Sequence, residues 1–189
     1  MTNEQIEKTL KETGALLDGH FKLRSGLHSN KFFQAALLLQ NTCEAADICA
    51  ELATRYADCG IETVVSPAVG GIVVGQEVGR SLGVRAIFAE KDEDSNLHLR
   101  RGFSLKPGEK VLIAEDVITR GGRVQQTIDL VRKHGAEVVG IAIIVDRSCG
   151  TVDFGIPFTS LVQLQLETYE EKDCPFCAKG QGFDTPGTK

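Results

Sequence analysis

The feature that most constrains this chain is the run at residues 111–123, VLIAEDVITRGGR. Residues 111–114 are apolar without alternation, the pattern of a strand buried on both faces, and they run straight into Glu115 and Asp116. A Thr/Gly turn follows, and residues 124–134 then take helical spacing. Strand, loop and helix in that order is the arrangement of phosphate sites. Gly121 and Gly122 permit a tight turn in which successive N–H groups converge on one anion, and the positive end of the following helix adds to the attraction. The paired carboxylates would repel a phosphate, but they can accept hydrogen bonds from the vicinal hydroxyls of a ribose. Together these features predict a site for a ribose 5-phosphate.

The rest of the chain supplies the frame. Residues 2–17 place Ile6, Leu10 and Leu17 on one helical face, with Thr2 or Asn3 as N-cap and Gly19 at or just past the end. Phe21 and Leu23 alternate as a strand, Ser25-Gly26 turns, and residues 32–39 are apolar, which predicts a hairpin-like lobe. From residue 42 to 164 helices (44–56, 72–82, 124–134) alternate with strands (62–66, 85–89, 111–115, 138–145, 158–164), the last of them an edge strand. That alternation predicts an α/β fold with a doubly wound, mostly parallel sheet and ligands at the strands' carboxyl ends. At 189 residues and 42% hydrophobic composition, one domain is expected over 1–189. It divides into an N-terminal lobe (1–40) capping the ligand edge, an α/β core (41–165) and a tail (166–189) loosely ordered from residue 180.

Net charge is -5 and no dense Lys/Arg tract is present, so neither nucleic acid nor an anionic membrane is an expected partner. The longest apolar run, 138–145, is too short to span a bilayer, and the N-terminus lacks the basic-then-apolar order of a secretion signal. A soluble, cytoplasmic protein with reduced thiols is expected from this and from the cysteines, of which Cys43, Cys49, Cys59 and Cys149 are scattered with no disulfide framework. Cys174-Pro175-Phe176-Cys177 is a C-x-x-C that reads as half a zinc site, a redox pair or an inert thiol pair in a turn. A structural zinc needs four ligands, and the chain has no second C-x-x-C and no H-x-x-x-H, so the inert pair is the expectation, with a zinc shared between two subunits as the alternative. No metal held directly by the protein is expected.

The run EDVITRGGR resembles the signature of type I phosphoribosyltransferases, whose acidic pair and Thr/Gly loop hold phosphoribosyl pyrophosphate (PRPP). A second stretch, LRSGLHSNKFF, resembles the N-terminal motif of the orotate phosphoribosyltransferases within that family. The resemblance covers nearly the whole chain and implies the type I phosphoribosyltransferase fold with a small N-terminal hood, transfer of ribose 5-phosphate from PRPP to orotate in pyrimidine biosynthesis, Mg2+ as counter-ion, and a homodimer with shared active sites. Position by position, it places Glu115, Asp116, Val117, Ile118, Thr119, Arg120, Gly121, Gly122 and Arg123 on PRPP, joined by Arg24 and Lys91. It places Thr119, Arg147, Phe32 and Phe33 on orotate, the guanidinium meeting the carboxylate, and it gives catalytic roles to Lys91, His98 and Asp116.

The chain departs from the family in places. The loop after the first core strand reads Val69-Gly70-Gly71 where many members carry a lysine, so any contact with pyrophosphate there must come from backbone. In the charged segment 90–110, expected to be a mobile loop closing over substrate, acids at 92–94 follow Lys91 and the histidine comes late, with Arg100 and Arg101 as substitutes. The spacing of Gly71, Gly75 and Gly79 also suits close helix packing. Core roles for Phe32 and Phe33, a solvated charged hairpin for Lys91, His98 and the arginines, an Arg147 salt bridge to Asp146 or Asp153, a different base, and a non-catalytic PRPP sensor remain as alternative readings.

Overall fold

The computed structural model describes residues 1–23 and 25–186. Helix α1 (Asn3–Glu12) opens on a capping box, in which Gln5 N–H donates to Thr2 Oγ1 at 3.2 Å and Thr2 N–H to Gln5 Oε1 at 2.8 Å. It is shorter than its spacing predicts. The Thr13 hydroxyl donates to the Thr9 carbonyl at 2.8 Å, Gly14 turns at φ 71°, and β1 (Leu16–Lys22) begins at once. Leu17 and Gly19 are therefore strand residues, not the last turn and stop of a helix. β1 pairs antiparallel with β2 (His28–Phe33), as the hairpin signal predicts, across an irregularity between Asp18 and Phe21.

A short helix α2 (Ala35–Leu39) and α3 (Thr42–Thr54) lead into the core, and α3 starts from Asn41 rather than Thr42 as N-cap. The six-stranded sheet has the order β5-β4-β3-β6-β7-β8, comprising β3 (Thr63–Pro67), β4 (Arg85–Lys91), β5 (Leu97–Leu99), β6 (Lys110–Ile118), β7 (Glu137–Asp146) and β8 (Phe158–Gln163). All neighbours are parallel except β5, which turns back on β4. The central runs are fully buried: Val111, Leu112, Ile113 and Ala114 on β6, and Ile141 to Val145 on β7. Each Val, Leu and Ile among them contributes about 1.5–3 kcal/mol by leaving water.

Helix α4 (Gly70–Leu82) covers one face with α3, and α5 (Gly122–Lys133) covers the other through Val124, Ile128 and Val131. The expected doubly wound architecture is present. The packing role of the glycines in α4 is explicit: a Cβ at Gly75 would stand 2.1 Å from Ser66 Oγ, so the helix lies directly on β3.

From β3 the chain winds one way to β4, and from β6 it winds the other way to β7, so the strand order reverses between β3 and β6. Their carboxyl ends border the crevice where open α/β sheets bind ligands. Within five residues of the end of β8, the chain is paired as β9 (Thr168–Tyr169) on β2. The small sheet β1-β2-β9 therefore stands on that same edge and is built from both ends of the chain. The tail expected to be loose is docked as far as it is described: Lys22 N–H donates to the Asp184 carbonyl at 2.9 Å, and Asp184 N–H donates to the His20 carbonyl at 2.9 Å.

Candidate functional site

At the reversal point, the loop after β3 and the end of β6 are in contact. A Cβ on Gly70 would lie 2.1 Å from Asp116 Oδ2, and one on Gly71 would lie 3.0 Å from Glu115 Oε1. Glycine is required at 70 because the carboxylate occupies the space of a side chain. Beyond the acids, residues 117–124 wrap a cleft of about 170 Å³ lined by Glu115, Val117, Ile118, Thr119, Arg120, Gly121, Gly122, Arg123 and Val124. Gly121 takes φ 71° and rests on Phe154 and Val152, where a Cβ would come within 2.9 Å of each. Helix α5 starts there with no side-chain cap, leaving its first-turn amides as free anion donors.

The acidic pair is asymmetric. Glu115 is buried, whereas Asp116 is half-buried. Glu115 Oε1 accepts the Asp116 N–H at 3.1 Å, and Oε2 has no hydrogen-bond partner. Burial first, and the neighbouring Asp116 charge second, push the Glu115 carboxyl up to about 9. Arg123 Nε, 3.6 Å from Oε2, opposes that shift without overcoming it. At neutral pH Glu115 is therefore protonated, and its carboxyl adds a donor. This pair is better suited to hydroxyl groups beside a phosphate than two full charges would be.

Arg147 follows β7, and its N–H donates to the Ile118 carbonyl at 2.8 Å, which sets it beside Thr119. The salt-bridge alternative is not realised. Asp146 accepts the Ser148 N–H at 2.7 Å, Asp153 accepts the Gly155 N–H at 2.8 Å, and among the described residues no carboxylate lies within ion-pair distance of Arg147. Its Nε is buried without a partner, and burial lowers the guanidinium's pKa. A buried, uncommitted guanidinium nitrogen has the chemistry of a carboxylate receptor.

The other expected residues divide. Arg24 lies outside the described residues. Phe33 is a core residue, 6% exposed, and has no face free for a base; Phe32 points to the opposite side of β2, half-buried against Phe21 at 5.8 Å between ring centroids. The segment expected as a mobile loop is a β-hairpin, Lys91 pairing Leu97 and Glu90 pairing His98. Leu97 packs on Leu130 of α5, and the turn is fixed by Asn96 N–H donating to Asp92 Oδ1 at 2.8 Å. His98 is bound to Asp92 at 2.7 Å, and Arg101 is held bidentately by Glu90 at 2.8 Å for both bonds. Neither Lys91 nor His98 lines the cleft of this chain.

Two histidines escaped notice. His20 and His28 are buried beside Cys174 and Cys177, the four ligand atoms all within 4.8 Å of one another. The C-x-x-C signalled half of this cluster; the other half lies across a hairpin, at a spacing no local motif encodes.

A parallel sheet with an amide-rich cleft and a carboxylate pair, its buried member protonated, at the reversal point defines an α/β protein built to hold a sugar phosphate. The Phosphoribosyl transferase domain family matches residues 38–171. The chain is 48% identical over 189 residues to the orotate phosphoribosyltransferase of Pelotomaculum thermopropionicum, covering 100% of this chain and 99% of that protein. It is 49% identical over 189 residues to the one of Chlorobaculum parvum, covering 100% and 97%. Among solved structures, the orotate phosphoribosyltransferase of Mycobacterium tuberculosis superposes with a TM-score of 0.72 at 21% identity, over 86% of this chain and 96% of that one. The chain belongs to the phosphoribosyl transferase family, in its orotate phosphoribosyltransferase branch.

Proposed function

We propose that this protein transfers the ribose 5-phosphate group of PRPP to orotate, giving orotidine 5'-phosphate and pyrophosphate in pyrimidine (UMP) biosynthesis. The observation that carries the choice of base is Arg147, whose guanidinium is uncommitted beside Thr119; a base without a carboxylate leaves its buried Nε unpaired. Full-length kinship with proteins named for orotate supports the same reading.

The chemistry needs no covalent nucleophile. The ring nitrogen of orotate attacks the anomeric carbon as the bond to pyrophosphate breaks, so positive charge grows on the sugar and negative charge on the leaving group. The amides of the 119–122 loop and the Thr119 hydroxyl hold the 5-phosphate, Asp116 and Glu115 engage the ribose hydroxyls, Arg120 and Arg123 flank the phosphate, and Arg147 orients orotate with Phe32 against the ring. Backbone at Val69-Gly70 faces the pyrophosphate.

The metal-ligating atoms at the cleft are oxygens (Glu115 and Thr119, with Asp116 beside them), the hard set that suits Mg2+, and with Glu115 protonated the ion would rest chiefly on PRPP itself. Bound there, Mg2+ supplies charge neutralisation to the departing pyrophosphate.

The hairpin 91–101 folds on α5 of its own chain and does not reach its own cleft, so Lys91 and His98 act, in this reading, on the pyrophosphate of a partner subunit in a homodimer. A cytoplasmic enzyme fits six unpaired cysteines, and no helix among the described residues is long and apolar enough to cross a membrane.

The test is loss of orotate with PRPP and Mg2+, offering adenine and uracil as competitors. Arg147→Ala removes two charge-assisted hydrogen bonds worth about 3 kcal/mol, so kcat/KM for orotate should fall about a hundredfold or more. PRPP binding without turnover of any base would make the protein a sensor, and turnover of adenine untouched by the substitution would move it to another base.

A further inference from the structure

The face of the β1-β2 hairpin turned toward the C-terminal tail is a cluster of metal-ligating atoms. Lys22 pairs with His28 across the hairpin, and His20, within the irregularity between Asp18 and Phe21, sets its ring 4.8 Å from that of His28, centroid to centroid. The tail brings Cys174 and Cys177 over that face. His20 Nε2 is 2.7 Å from His28 Nδ1 and 3.4 Å from Cys174 Sγ, and Cys177 Sγ is 3.7 Å from His20 Nε2 and 3.3 Å from His28 Nδ1. Tetrahedral zinc with ordinary bond lengths sets its ligands about 3.3 Å apart for N···N, about 3.6 Å for N···S and about 3.8 Å for S···S. The N···S distances match that figure, and the imidazole nitrogens need part by only about 0.6 Å.

The hydrogen bonds around the cluster point the same way. His20 Nδ1 faces the carbonyls of Gln181 at 3.0 Å and Gly182 at 3.2 Å. Carbonyls only accept, so Nδ1 carries the proton and Nε2 presents a lone pair to the cluster's centre. His28 Nε2 is buried with no hydrogen-bond partner and lies 4.0 Å from Glu171 Oε2, so a proton there faces a carboxylate while Nδ1 faces inward. Phe176 stacks on His20 at 5.3 Å, and Phe183 packs against His28 at 5.0 Å, covering part of the site.

We propose that His20, His28, Cys174 and Cys177 form a structural Zn2+ site that fastens the C-terminal tail to the N-terminal hairpin. Two thiolates and two imidazoles favour zinc over hard cations, and four protein ligands leave no open position for catalysis. The site shares no residue with the phosphate cleft and does not depend on the proposed reaction. The hood is a small sheet with little core of its own, the setting in which a metal supplies the cross-link. The ligand sets on either side of the metal are more than a hundred residues apart in sequence, which is why the C-x-x-C looked incomplete.

The test uses the full chain expressed in zinc-supplemented medium and desalted. Metal analysis should find one zinc per chain, falling below a tenth in Cys174→Ser/Cys177→Ser while Cys59→Ser/Cys149→Ser retains it. Cobalt put in place of zinc should show thiolate charge-transfer bands and the visible bands of a tetrahedral ion. In the unmutated protein, chelation should expose two further thiols to a thiol reagent and lower Tm by about 10 °C or more. Zinc-free protein that shows no thiolate band with cobalt, thiol reactivity indifferent to chelator, or a mass two hydrogens short from a Cys174-Cys177 disulfide would each overturn the site. His28→Cys, which keeps four ligands, should still bind one zinc; loss of zinc there would overturn the assignment of His28.

Discussion

Glu115→Gln is expected to make the protein more stable. The folded chain holds a proton on Glu115 up to about pH 9, whereas the unfolded chain releases it near 4.5. Between those values the folded state binds more protons, so stability falls with rising pH, by about 1.4 kcal/mol per unit. At pH 7 the loss has run through about 2.5 units, or about 3 kcal/mol. Glutamine is neutral at every pH. Its oxygen can keep the Asp116 N–H and its amide nitrogen can face the Asp116 carboxylate, replacing the protonated carboxyl. Urea or thermal unfolding of the ligand-free protein at pH 5, 6, 7 and 8 should show a gap in favour of the variant. It should be near zero at the lowest pH, widen by about 1.4 kcal/mol per unit, and reach about 6–12 °C in Tm at pH 7. PRPP affinity should weaken, because an acceptor oxygen turned to the ribose is lost. A gap of constant size from pH 5 to 8, or a variant less stable at pH 8, would refute the assignment of a proton to this buried carboxyl.

Gly75→Ala forces a Cβ to within 2.1 Å of Ser66 Oγ beneath α4, and urea unfolding should show a loss of about 1–3 kcal/mol; an unchanged midpoint would mean that the helix can lift from β3 without cost. Tyr56→Phe removes the buried hydroxyl that donates to the Ile141 carbonyl at 2.6 Å and should cost about 1–1.5 kcal/mol by the same assay. Equal stability there would show the carbonyl to be satisfied from elsewhere.

Local order was legible where local physics decides it. The unbroken apolar run into Glu115 and the glycines after Thr119 fixed a buried strand, a turn and a helix start, because burial on both faces and a left-handed turn leave few other residue choices. Arg147 was legible in position, though its lack of a partner depends on Asp146 and Asp153 turning to nearby amides. The hairpin 91–99 was legible only as the alternative to a mobile loop: its acids leave both readings open, and the apolar anchor that decides, Leu97 on Leu130, joins segments far apart in sequence. Leu17 fitted a helical face by period, but the Thr13-Gly14 stop intervened. Phe32 and Phe33 were ambiguous until strand alternation assigned one to each side. The His20 and His28 cluster needed both ends of the chain in view at once.

That union of the ends bears on how the molecule comes into being. Synthesis runs from the N-terminus, so β1 and β2 leave the ribosome before the core strands, while β9, the cysteine pair and Asp184 follow the whole of the parallel core. The parallel core through β8 can assemble while the hood hairpin still lacks its third strand and its cover. The lobe over the ligand edge is thus completed after the core it covers, and the nascent chain cannot have a finished site until the segments beyond β8 have emerged.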